Sequence, residues 1–191
     1  QTLNVYNFAQ ADQQHFVGFQ NFIELFTDKN SIMALSIKNT LIFTVGSIFF
    51  QFFIGFALAL LFSKKFRGCS FFRGVSMISW LLPVTVAGLL FKFMFASSGG
   101  IINQMLMSLH IISQPLDWLL QPKTAMVAII IANIWIGIPF NMMLLITGLT
   151  TIPAEVYESA NLDGANKIQT LFSITIPMIK PAIMSVLTLG F

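Results

Sequence analysis

The run TLIFTVGSIFFQFFIGFALALLF, from Thr40 to Phe62, contains no charged residue. About 20 apolar residues are what a helix needs to cross the hydrocarbon core of a bilayer. Three more runs of this kind follow. Met77–Ala96 is charged only at Lys92, Ala125–Leu149 is uncharged, and a fourth begins near Ile174 and is still running at Phe191. Inside a bilayer each backbone N–H and C=O must be bonded within the protein, which leaves helices and closed barrels. Barrel strands alternate in polarity over about ten residues, and these runs do not. The expectation is an all-α polytopic membrane protein with at least four transmembrane helices, at about 40–62, 77–96, 125–149 and 174–191.

Composition removes the alternatives. Only 9% of the 191 residues are charged, against about 25% in soluble domains, so a water-facing surface could not be covered. The single Cys69 excludes an internal disulfide and a cysteine-based metal site. No Gly-x-x-x-x-Gly-Lys-[Ser/Thr] stretch is present to cradle ATP phosphates. No Ser/His/Asp set or carboxylate pair is placed for chemistry, and His15 and His110 read as surface residues. The chain is therefore expected to be no enzyme, with no catalytic residue, no metal and no nucleic-acid partner.

The loops orient the spans. Ser63–Gly74 holds Lys64, Lys65, Arg67 and Arg73 with no acid, and short loops rich in Lys and Arg stay in the cytoplasm. Loops 63–76 and 150–173 are then cytoplasmic, while residue 1 and Ser97–Thr124 are external. Residues 1–38 form an external segment with an amphipathic helix, in which Phe19, Phe22, Ile23 and Phe26 share a face. Residues 39–191 form the transmembrane domain. Gly99–Leu109 is a second amphipathic stretch, and Trp118 suits an interfacial belt. Residue 1 is not Met, and no signal peptide is evident; a longer parent protein is expected.

One stretch interrupts the apolar pattern: EVYESANLDGANKIQTLFSITIP, Glu155–Pro177. Pro153 suits a helix start, and Glu155 and Glu158 suit the positive end of its dipole. Asp163-Gly164 is expected to break the helix, with Gly164 at positive φ and Asp163 capping the piece that follows over Ala165–Phe172. Small Ser159 and Ala160 beside Glu158 suggest a docking knob for a protein. A solvated loop with a cap is the plainer alternative.

The same residues resemble a known signature. Permeases of binding-protein-dependent ABC importers carry E-A-A, three residues, G, nine residues, then I-x-L-P. Here Glu158-Ser159-Ala160 is followed after three residues by Gly164, and after nine more by Ile174-Thr175-Ile176-Pro177. Ser159 and Ile176 depart from the pattern but keep size or character. The stretches FVGFQNFIELF, GGIINQML, LDWLLQP and ITIPMIKP are similar to the carbohydrate branch of that family. The resemblance implies a fragment of a six-helix permease of a prokaryotic inner membrane. It implies a coupling role for Glu155, Glu158, Ser159, Ala160, Asp163, Gly164, Ala165 and Pro177. The implied partners are a dimer of ATPase subunits using ATP and magnesium, a second permease subunit, an extracytoplasmic solute-binding protein, membrane lipid and a sugar-like substrate. The chain itself would bind no cofactor. Polyols and glycerol phosphate remain open as substrates.

A transport pathway needs polar groups within the spans. A 100° step places Asn133, Gly137 and Asn141 on one stripe of the third span, with Ile131, Trp135, Ile138 and Met142 opposite. Amides are costly against lipid, so this stripe should face protein. Asn133, Phe140 and Asn141 are candidates for the pathway, and Gln51 of the first span could join them. Helix packing through small and amide residues is the alternative. An ion-coupled secondary transporter would want a carboxylate within a span, and none of the seven Asp and Glu residues lies in one. A non-transporting membrane scaffold is the other rival.

Overall fold

The computed structural model describes residues 33–64 and 66–190, so the helix expected over Phe19–Phe26 lies outside the described residues. Contacts divide the chain into two compact units, Gln1–Ile42 and Phe43–Phe191. In the first, the described part is the opening of a helix. Among the described residues there is no strand. The helices are α1 (Met33–Phe62), α2 (Cys69–Leu81), α3 (Val84–Met94), α4 (Ile101–Ser108), α5 (Pro122–Thr150) and α6 (Ala154–Leu162), then α7 (Lys167–Met178) and α8 (Lys180–Gly190).

Two expected spans are single unbroken helices and two are not. α1 and α5, of 30 and 29 residues, are each long and apolar enough to cross a membrane. The second expected span, 77–96, is broken: α2 and α3 meet at 94°. Pro83 causes the break, because its ring drives the preceding residue out of the helical region. Leu82 is accordingly extended at φ −71°, ψ 134°. The fourth expected span is also bent, by 68° between α7 and α8. The helix already begins at Lys167, and Pro177 lies inside α7. The bend falls at Ile179, with φ −92° and ψ 10°. Pro181 has no N–H to donate to the carbonyl four residues back, at Pro177. Counting each bent pair as one span, the described residues hold up to four.

In the second unit α5 is the central helix, with α2, α3 and α8 packed on it. Met142, Leu145, Ile146 and Leu149 of α5 bury against Ala59, Phe62, Ile179 and Val186. α1 runs parallel to α5: Gly46 faces Ile130, Gln51 lies over Gly137, and Gly55 faces Asn141. Their last turns therefore end at one level, and Leu60, Ser63, Leu149 and Thr150 line a common cavity there. Loops 63–76 and 150–173 thus leave from the same end of the helix pair. α1's carbonyl end is closed by the start of α2: Cys69 Sγ and Arg73 Nη2 both donate to the Phe62 oxygen, each at 3.2 Å. Phe49, Phe50 and Phe53 turn away from the core and stay at least half exposed, as lipid-facing side chains do.

Candidate functional site

After α5 the chain folds into a bracket. Pro153 is the extended residue just ahead of Ala154 (φ −60°, ψ 143°), and Glu155 occupies the first turn of α6. The helix ends in a Schellman turn. Ala165 N donates to Ala160 O at 2.9 Å and Gly164 N to Asn161 O at 3.1 Å, with Gly164 at φ 76°. A side chain is strained at that φ, so glycine closes the turn at least cost. The cap on the second arm is not Asp163 but Asn166. Its side chain accepts from Gln169 N while Gln169 Oε1 accepts from Asn166 N, both at 2.8 Å, a reciprocal box that a glutamine three residues on makes possible. The second arm accordingly starts at Lys167 rather than Ala165.

α6 has a buried and an open face. Ala160 is 6% exposed and, with half-buried Val156 and Tyr157, seats the helix on the core. Glu155, Glu158, Ser159 and Asp163 are exposed. Beside them Leu162 is 89% exposed, and Ile168 and Phe172 on α7 are 69% and 64% exposed. Exposed apolar groups thus lie beside exposed acids, on two arms joined by a hydrogen-bonded turn. A brace ties the arms together: Tyr157 Oη and Thr175 Oγ1 lie 3.3 Å apart. Thr175 also donates to Thr170 O at 3.3 Å, across the π-helical turn Leu171–Thr175. Of the remaining residues expected here, Ala165 is half-buried behind the turn and Pro177 is exposed on α7.

The polar stripe of α5 divides. Asn141, 5% exposed, donates from Nδ2 to Gln51 Oε1 at 3.2 Å. Gln51, 8% exposed, donates from Nε2 to the Asn133 carbonyl at 3.0 Å. The Gln51 amide lies flat over Gly137, where any Cβ would overlap it. Gln51 and Asn141 thus fasten α1 to α5. Asn133 also lines a separate cavity of about 480 Å³, walled by Phe43, Phe91 and Phe95, with Lys92 as the other polar residue. Phe140 stacks on Trp80, ring centroids 5.9 Å apart. Trp135 meets Phe91 edge-on at 5.6 Å. Met142, expected on the apolar face with Trp135, is fully buried, whereas Trp135 is 41% exposed.

Sequence reasoning passed over Asn103. Only 1% exposed, it fills its bonding capacity between two segments. Nδ2 donates to Ala96 O at 3.3 Å and Leu116 O at 3.0 Å. Oδ1 accepts from Leu116 N at 3.2 Å and from Trp118 Nε1 at 2.9 Å. Trp118 is therefore not a free belt residue: its indole N–H is held inward and its ring packs on Phe95 at 5.2 Å. The available signal was a lone amide on an otherwise apolar α4 face.

Residues 51–191 match the family described as "Binding-protein-dependent transport system inner membrane component". The chain is 36% identical over 172 residues to a probable ABC transporter permease protein, YurN, of Bacillus subtilis, covering 89% of this chain and 58% of that protein. It is 30% identical over 177 residues to the trehalose/maltose transport system permease protein MalF of Thermococcus litoralis, covering 93% and 59%. Among solved structures, a bacterial alginate ABC transporter in complex with an alginate pentasaccharide-bound periplasmic protein superposes with TM-score 0.79 at 27% identity, covering 91% of this chain and 60% of that one. The chain thus spans less than two thirds of the proteins it matches.

Proposed function

The chain belongs to the binding-protein-dependent transport system inner membrane component family, and from that premise we propose that it is the pathway-forming part of a permease subunit in an ATP-driven importer of a carbohydrate. The relatives named for trehalose and maltose and for alginate support the solute class. The protein sits in the inner membrane as a multi-pass subunit, with the α6–α7 bracket and the basic loop in the cytoplasm. ATP is hydrolysed by a separate ATPase dimer seated against the bracket. A second permease subunit completes the pathway, and a solute-binding protein delivers substrate to the opposite face.

The observation that carries this reading is the bracket. Its signature residues Glu158, Ser159 and Gly164 stand on a rigid turn with Leu162 fully presented beside them. Closure of the ATPase dimer moves the bracket, and α7 and α8 move with it, as in rigid-body alternating access. The test is ATP-driven uptake in proteoliposomes with the partner subunits and Glu158→Lys. Loss of uptake with intact membrane insertion supports the assignment, and unchanged uptake together with unchanged ATPase recovery contradicts it.

A further inference from the structure

The bracket encloses more than a docking surface. Between it and the ends of α1 and α5 lies a cavity of about 610 Å³, within the range that holds a small ligand. Its polar wall includes Lys64, just beyond α1, and Lys167, the first residue of α7, with Asn161 and Tyr157 between the helices. Its apolar wall includes Leu60 and Leu149. The bracket's acids, Glu155, Glu158 and Asp163, are not among its lining residues. Among the described residues neither lysine is paired with a carboxylate, and both are exposed.

We propose that this cavity binds the headgroup of an anionic phospholipid. Three features select that occupant. Two ammonium groups and the Asn161 amide, with no facing acid, suit a phosphate, which accepts only. The leucines offer contact to glycerol and the first acyl carbons. The position suits a lipid rather than a soluble anion: the cavity lies where two long apolar helices end, with Arg67 and Arg73 on the segment that follows α1. Basic pockets between spanning helices on the cytoplasmic side are where anionic headgroups are held. A phosphate there ties the end of α1 to the start of α7 and touches the Tyr157–Thr175 brace, so occupancy stiffens the bracket. The placement in the inner leaflet rests on the orientation proposed above; the binding itself does not.

The assembled complex, full-length chains included, is placed in nanodiscs of phosphatidylcholine with or without phosphatidylglycerol. Retained phosphatidylglycerol is then measured by mass spectrometry after detergent extraction, a readout independent of transport. Phosphatidylglycerol should be enriched in the extracted complex, and retention should fall about fivefold for each of Lys64→Gln and Lys167→Gln. It should persist in the double Lys→Arg variant, which guards against a folding effect, and in Lys92→Gln. Retention unaffected by the Gln variants would overturn the proposal. So would displacement of the lipid by millimolar inorganic phosphate, which would make the site one for a soluble anion.

Discussion

Asn141 and Gln51, 90 residues apart in sequence, share a buried hydrogen bond of 3.2 Å between α5 and α1. Both were candidates for a solute pathway, yet each spends its amide on the other helix. Gln51→Leu leaves the Asn141 amide unmatched and should cost about 1–3 kcal/mol of stability. The double change to leucine should cost less than the sum of the singles. Thermal unfolding of the purified complex reads this; strict additivity would show that the two residues are not coupled.

Gly137 is the seat of that bond. Gly137→Ala puts a methyl group into the Gln51 amide and should lower the melting temperature. Gln51→Ala in the same chain should restore part of the loss by opening the space. A Gly137→Ala protein as stable as the parent would mean that the helices separate at no cost.

Asn133 and Asn141 should behave differently despite lying on one stripe. Asn133→Leu changes the polarity of a cavity wall and should reduce solute uptake while leaving melting unchanged. Asn141→Leu should lower melting first. Equal effects of the two on uptake, with no loss of stability in either, would contradict this division.

Much of this was legible beforehand, and the reasons are local. A long uncharged run reads as a spanning helix, so α5 was readable to within three residues at each end, whereas α1 starts at Met33, seven residues before the expected Thr40. The Gly164 turn was readable because only glycine sits easily at φ 76°. The bend at Leu82-Pro83 was missed because hydropathy is blind to backbone dihedrals: 77–96 is apolar whether straight or folded back by 94°. The capping box at Asn166 lost to the more conspicuous Asp163-Gly164. Pairings such as Gln51 with Asn141, or Asn103 with Trp118, depend on which helices become neighbours, and a single helix's periodicity carries no such information.

Asn103 offers a test at the other end of the molecule. Asn103→Leu strands the Trp118 indole N–H, the Leu116 backbone amide and the Ala96 and Leu116 carbonyls and should destabilise the complex by several kcal/mol, at about 1–3 kcal/mol for each unsatisfied group. Trp118→Phe, which leaves the Asn103 side chain three of its four bonds, should cost less. The reverse order would mean that the ring packing on Phe95, not the amide, holds these segments.

The central claim is that the α6–α7 bracket seats an ATPase subunit. The most direct measurement is cross-linking from Leu162→Cys, in a Cys69→Ser background, in membranes containing the whole transporter. The account predicts a product joining this chain to the ATPase, diminished by Gly164→Val, which turns the bracket out of line. Absence of any product with the ATPase from a complex that still imports solute would contradict it.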